Sequence, residues 1–216
     1  MAHPPPRHDF EGFANGTSNP WGRDFTGNGE AFGEACGIPH MWHLIQGARY
    51  QRQGGVHFNP NTYADIPTIA KHRHYLGATP HGGNGRSDEA GGGHAHSGLM
   101  IYLGDNWPAE YRNNVFTINL HGKRINRDKL VRKGAGYTAT HGEDFLKSSH
   151  PYFRPVHLTY GPDGAGVRMR ANSASRTPLS DGALWRIPSA PRANSTMSAA
   201  TSRNFGLSRR SSQVMP

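Results

Sequence analysis

At 216 residues and 34% hydrophobic, with 28 Gly and 16 Pro, the chain has the length of one domain but little apolar material for a compact core. No run approaches the roughly 18 apolar residues that would span a bilayer, and Met1 leads into His3-Pro4-Pro5-Pro6-Arg7 rather than a signal peptide, so neither a transmembrane segment nor a leader is expected. The single Cys36 excludes an internal disulfide and a C-x-x-C-H attachment site, so no covalent haem is expected in this chain.

The net charge of +9 divides unevenly. Residues 1–165 hold 16 Lys and Arg against 14 Asp and Glu, whereas residues 166–216 hold 8 Arg and only Asp181. The surplus therefore sits in a tail whose two aromatics, Trp185 and Phe205, are too few for a stacking surface, which argues against a specific nucleic-acid surface and leaves nonspecific polyanion binding. All 14 His also precede residue 165.

In chain order, Phe10–Ala14 reads as a short alternating strand, and Asp24-Phe25, Thr26-Gly27-Asn28-Gly29 and Glu30-Ala31-Phe32 read as strand, turn and strand. Tyr63–His74 has apolar residues at Ile66, Ile69 and Ala70, which predicts a short surface helix limited by Pro67. Thr79–Gly93 is a long loop of Gly, Ser, Asn and charge. Leu99–Tyr102 and Asn114–Leu120 are strands joined by a polar connection through Gly104–Pro108, and Arg124–Arg127 is the next strand of the same sheet. Val156–Tyr160 is a strand leading into Gly161-Pro162-Asp163-Gly164, after which the strand pattern is expected to stop. The expected fold is all-β: a partial β-propeller of about three blades of antiparallel strands over residues 8–165, with long loops, followed by an irregular, disordered basic tail over 166–216.

Three segments resemble the quinoprotein glucose/sorbosone dehydrogenases: Gly16-Thr17-Ser18-Asn19-Pro20-Trp21-Gly22-Arg23-Asp24-Phe25, the run from His94 to Asn113, and Phe153–Gly164 with Arg154 ahead of its turn. The chain is more similar still to the membrane-bound dehydrogenase domain of large planctomycete and verrucomicrobial proteins, through His57-Phe58-Asn59-Pro60, Arg73-His74-Tyr75 and Gly122–Asp128. The resemblance implies a propeller piece cut at both ends. It also implies an exported, periplasmic or membrane-associated parent that oxidises a sugar or alcohol at the propeller cleft and passes electrons to a haem-binding module.

The resemblance further implies pyrroloquinoline quinone as cofactor, with Asn19, Arg124 and Arg154 as cofactor-binding residues. Ser18 and His121 stand where that family has cationic residues, which removes two contacts for the three carboxylates of the quinone. His94 and His96 alternate onto one face beyond Gly91-Gly92-Gly93, a pair suited to general-base catalysis or to a metal, and they are the expected catalytic residues. Asp88, Glu89 and Asn84 offer oxygen ligands for Ca2+. His72 and His74 read as a solvated face and His40 and His43 as blade packing, so no metal-ligand set is assigned among them. The alternatives to catalysis are a carbohydrate- or protein-binding propeller module and a nonfunctional product of a frameshifted gene, the latter suggested by the loss of pattern after Gly164.

Overall fold

A computed structural model describes residues 11–37, 40–52, 54–55, 63–75, 87, 89–93, 95–149 and 153–160, and the backbone of 167–171, 184–186 and 196–197. Its strands are β1 (Asn15–Gly16), β2 (Pro20–Phe25), β3 (Ala31–Ala35), β4 (Met41–Leu44), β5 (Arg49–Tyr50), β6 (His96–Ile101) and β7 (Asn114–Asn119). They continue with β8 (Arg124–Lys133), β9 (Gly136–His141), β10 (Leu146–Ser148), β11 (Pro155–Tyr160), β12 (Val167–Ala171), β13 (Leu184–Arg186) and β14 (Thr196–Met197). The chain is all-β, as expected for a partial propeller: separate antiparallel meanders with no closed barrel among the described residues. One meander runs β2-β3-β4, another β6-β7-β8 with β9 and β10 both paired to β8, and a third β11-β12-β13.

The β2–β3 hairpin forms where the sequence places it, with Asp24 opposite Phe32 and Phe25 opposite Ala31. The other strands named from the sequence in this region also form, but four expectations change. From residue 167 the chain forms β12, antiparallel to β11, where the pattern was expected to end; in the sequence Val167 and Met169 alternate with Arg168 and Arg170 for just long enough to make a strand. Short pairings also occur in β13 and β14. Phe10 lies outside the described residues, and the first strand among the described residues is Asn15–Gly16, parallel to β5.

The expected helix in 63–74 is absent. The segment runs extended between two sheets instead, with Ile69 N–H donating to the Met41 carbonyl at 3.0 Å and the Ala139 and Lys71 amides bonding to Ile69 and Ala139 carbonyls at 2.9 Å. Pro67 lacks the amide a helix would need, and two strand edges supply partners that satisfy the backbone more completely.

Two apolar clusters bracket the β6–β9 sheet. Phe116, Ile118 and Ile125 pack on one face with Trp107, Tyr111, Phe145, Phe153 and Leu158. Val115, Ala139, Leu99 and Ile101 pack on the other against Phe32 and Met41 of the β2–β4 sheet. Each fully buried side chain of this kind contributes about 1.5–3 kcal/mol, which is what joins the two sheets.

Candidate functional site

Directly opposed residues in antiparallel strands share a face. In β7 and β8 these pairs are Val115 with Asp128, Thr117 with Asn126 and Asn119 with Arg124. Alternation along β8 therefore places Arg124, Asn126 and Asp128 in one row on the face that carries Val115, turned toward the β2–β4 sheet. All three are buried. A buried polar row must find partners, which are imidazoles for Asp128 and the Asp144 carboxylate and backbone carbonyls for Arg124 and Asn126.

His40 immediately precedes β4, His72 and His74 end the extended 63–75 segment, His96 opens β6 and His141 closes β9. Their rings gather around Asp128. His40 Nε2 lies 3.3 Å from Asp128 Oδ2, His72 Nε2 2.9 Å from Asp128 Oδ1 and His141 Nδ1 3.9 Å from the same oxygen. His74 stands between two imidazoles, with Nδ1 2.6 Å from His96 Nε2 and Nε2 3.1 Å from His141 Nδ1. The His40 ring stacks on those of His96 and His74 at centroid separations of 4.6 and 4.8 Å. His40, His74, His96 and Asp128 are almost wholly buried, whereas the His72 and His141 side chains are 15% and 27% exposed, so the cluster meets solvent on that side.

A glycine-rich turn closes the back of the cluster. Gly91, Gly92 and Gly93 all have φ between +100° and +120°. Asn119 Nδ2 donates to the Gly91 and Gly93 carbonyls, Asn126 Nδ2 donates to the Gly91 carbonyl, and Gly93 N–H donates to the His74 carbonyl. Side chains are excluded here because a Cβ on Gly91 would lie 2.5 Å from His74 Cδ2 and one on Gly92 2.3 Å from Arg124 Nε.

Burial by itself would raise the Asp128 carboxyl, but the imidazoles of His141, His40 and His72 together outweigh it and hold the group well below the usual carboxylate range. His74 is pushed well below the ordinary histidine value by burial and then by its neighbours His96 and His40, with Asp128 only partly opposing them. The pair is therefore poised as carboxylate and neutral imidazole at physiological pH.

Of the residues singled out from the sequence, His96 and Arg124 belong to one connected polar set. Arg124 Nη1 donates to Asp144 Oδ2 at 2.7 Å, Asn126 Nδ2 donates to Asp144 Oδ1 at 2.7 Å, and His141 Nε2 lies 3.9 Å from that oxygen. Asn19 is exposed and connects through backbone alone, its carbonyl accepting from Cys36 N–H, whose own residue's carbonyl accepts from Ala95 N–H. Arg154 Nη1 donates to the Phe153 carbonyl. His94, Asp88 and Asn84 lie outside the described residues, and Glu89 is exposed.

His40, His72 and His74 are neither blade packing nor a solvated face. They converge with Asp128, each offering one donor atom within 4.8 Å of the others. The sequence signal for this was His72-x-His74 followed by a strand with polar residues at every second position, Arg124, Asn126 and Asp128. Of the cations expected to bind pyrroloquinoline quinone, Arg124 is buried and paired with Asp144.

An all-β domain with a polar imidazole and carboxylate centre between two of its sheets is thereby defined. Residues 3–166 match the model of a family described as a domain of unknown function (DUF7133), and the chain belongs to that family. No curated protein matches the chain. Among solved structures it is similar to the crystal structure of an oxidoreductase described as a glucose dehydrogenase from Thermus thermophilus, at 18% identity and a TM-score of 0.48, over 80% of this chain and 45% of that one. The chain spans less than half the length of that protein.

Proposed function

We propose that this domain contributes the reaction centre of a protein that oxidises a hydroxyl-bearing substrate, a sugar or an alcohol, and delivers the electrons to an acceptor such as a haem module elsewhere in the parent protein. The observation that carries the reading is the convergence of His96 and Arg124, chosen from separate strands, on one polar set that also holds His74, His141 and Asp144. Oxidation of an alcohol to a carbonyl gives up the hydroxyl proton and, from carbon, two electrons and a second proton; the electrons go to the acceptor, and a neutral imidazole is suited to take the hydroxyl proton near pH 7.

Burial refines the roles. His141 is the exposed end of the set and the group a substrate hydroxyl would reach, whereas His96, 1% exposed, acts behind His74 as a positioning residue. Arg124 fixes Asp144, which in turn lies beside His141.

Dye reduction with a panel of sugars and alcohols tests the proposal on the parent protein containing this domain. His141→Ala is expected to abolish turnover, and His96→Ala to lower kcat and shift its pH profile while leaving KM nearly unchanged. Wild-type turnover retained in both variants would remove the cluster from the reaction.

A further inference from the structure

We propose that His40, His72, His74 and Asp128 form a binding site for one divalent first-row transition-metal ion. Three independent features of the fold deliver the ligands: the residue before β4, the end of the extended 63–75 segment, and the inward row of β8. The backbone fixes all three, through Ala35 N–H donating to the His40 carbonyl at 2.9 Å, Gly93 N–H donating to the His74 carbonyl at 2.6 Å, and the β7–β8 ladder around Asp128. The donor atoms consequently meet within 4.8 Å without relying on flexible side-chain reach.

The orientation of the donors is a second, independent sign. Both His72 nitrogens and Asp128 Oδ1 are buried with no completed hydrogen bond. His72 Nε2 is only 2.9 Å from Asp128 Oδ1, yet the two groups are not aligned as donor and acceptor. Buried polar atoms left in this state are costly, at about 1–3 kcal/mol each, and native proteins rarely keep them without a water or an ion. A cation between them accepts a lone pair from each.

Donor chemistry sets the class of ion. Three neutral imidazoles and one carboxylate carry a net charge of −1, matched to a divalent cation. Imidazole nitrogen favours Zn2+, Co2+, Ni2+ or Cu2+, whereas Ca2+ and Mg2+ prefer oxygen ligands. Coordination through one nitrogen of His74 leaves its other nitrogen for His96 or His141, the arrangement by which an outer residue orients a ligand. The assignment does not depend on the oxidation reaction proposed above, since an ion here would serve equally to tie the two sheets together.

The test uses the full chain, stripped with chelator and titrated with Co2+ and with Zn2+ by calorimetry. One ion per chain is expected. His72→Ala and Asp128→Asn should each weaken binding by at least about tenfold, the lower end of what losing even a supporting residue costs. His157→Ala, an exposed histidine outside the cluster, should leave it unchanged. X-ray absorption on the wild-type protein should show a nitrogen and oxygen shell near 2.0–2.1 Å with imidazole scattering for Zn2+. This keeps the test decisive if Asp128→Asn fails to fold. Absence of saturable uptake, unchanged affinity in His72→Ala, or a sulfur shell implicating Cys36 would each overturn the assignment.

Discussion

Asp128 and His141 face each other directly across the β8–β9 hairpin, with His141 Nδ1 3.9 Å from Asp128 Oδ1. The ladder runs without a bulge from this pair to Lys133 opposite Gly136, so the two-residue turn at Gly134-Ala135 sets which histidine meets the carboxylate. A slip of one residue would turn His141 to the other face of the sheet.

Replacing Gly134 tests that control. Its φ of +61° suits the first central position of a tight hairpin turn, and L-residues with a Cβ are disfavoured there. Gly134→Val should destabilise the chain by about 1–2 kcal/mol in urea unfolding, while Gly134→Asn, which tolerates this region, should lose less. Equal stabilities of both variants and the wild type would show that the turn does not set the register.

A stronger effect is expected at Gly91. A methyl group there would press on His74 Cδ2 at 2.5 Å, and φ of +120° already disfavours any side chain. The loop cannot easily retreat, because Asn119 and Asn126 both hold the Gly91 carbonyl. Gly91→Ala should cost about 1–3 kcal/mol, the range for overpacking, and should move the His74 ring resonances in NMR spectra. Unshifted His74 resonances would mean that the loop does not buttress the ring.

Much of the strand framework was legible in the sequence because alternating stretches such as Asn114–Asn119 and hairpin signals such as Thr26–Gly29 act locally. The centre was only half legible. His96 stood out through alternation beyond the glycine run and Arg124 through a family resemblance, but His40, His72 and His74 acquire their roles beside Asp128, a residue 54 or more positions later in the chain. Periodicity also suggested a helix near Ile66 and Ala70, since it cannot register that the edges of β4 and β9 compete for the same backbone.

Acid should destabilise the metal-free chain through His74. In the unfolded chain its imidazole takes up a proton near pH 6.5, whereas burial and the neighbouring His96 and His40 hold the folded value well below that. Folding therefore opposes protonation, and stability falls as pH drops below about 6.5 toward the folded value. His74→Phe, which cannot titrate, should flatten this part of the pH dependence in chelator-treated protein measured by urea unfolding. A slope unchanged by the substitution would assign the acid sensitivity to other groups.

Glu34 should give the opposite dependence. It lies in β3, 1% exposed. Burial pushes its carboxyl well above the usual value and Asp128 adds to the effect, while the Leu99 amide offsets only part. The unfolded chain releases this proton near pH 4.3, so the folded chain loses stability as pH rises from there toward the folded value. Glu34→Gln keeps the shape and removes the charge. It should raise the melting temperature at pH 8, by roughly 2–4 °C for each kcal/mol relieved in a chain of this size, and change it little near pH 4. A variant less stable than the wild type at pH 8 would show that the ionised carboxylate is needed and that burial of Glu34 does not cost stability there.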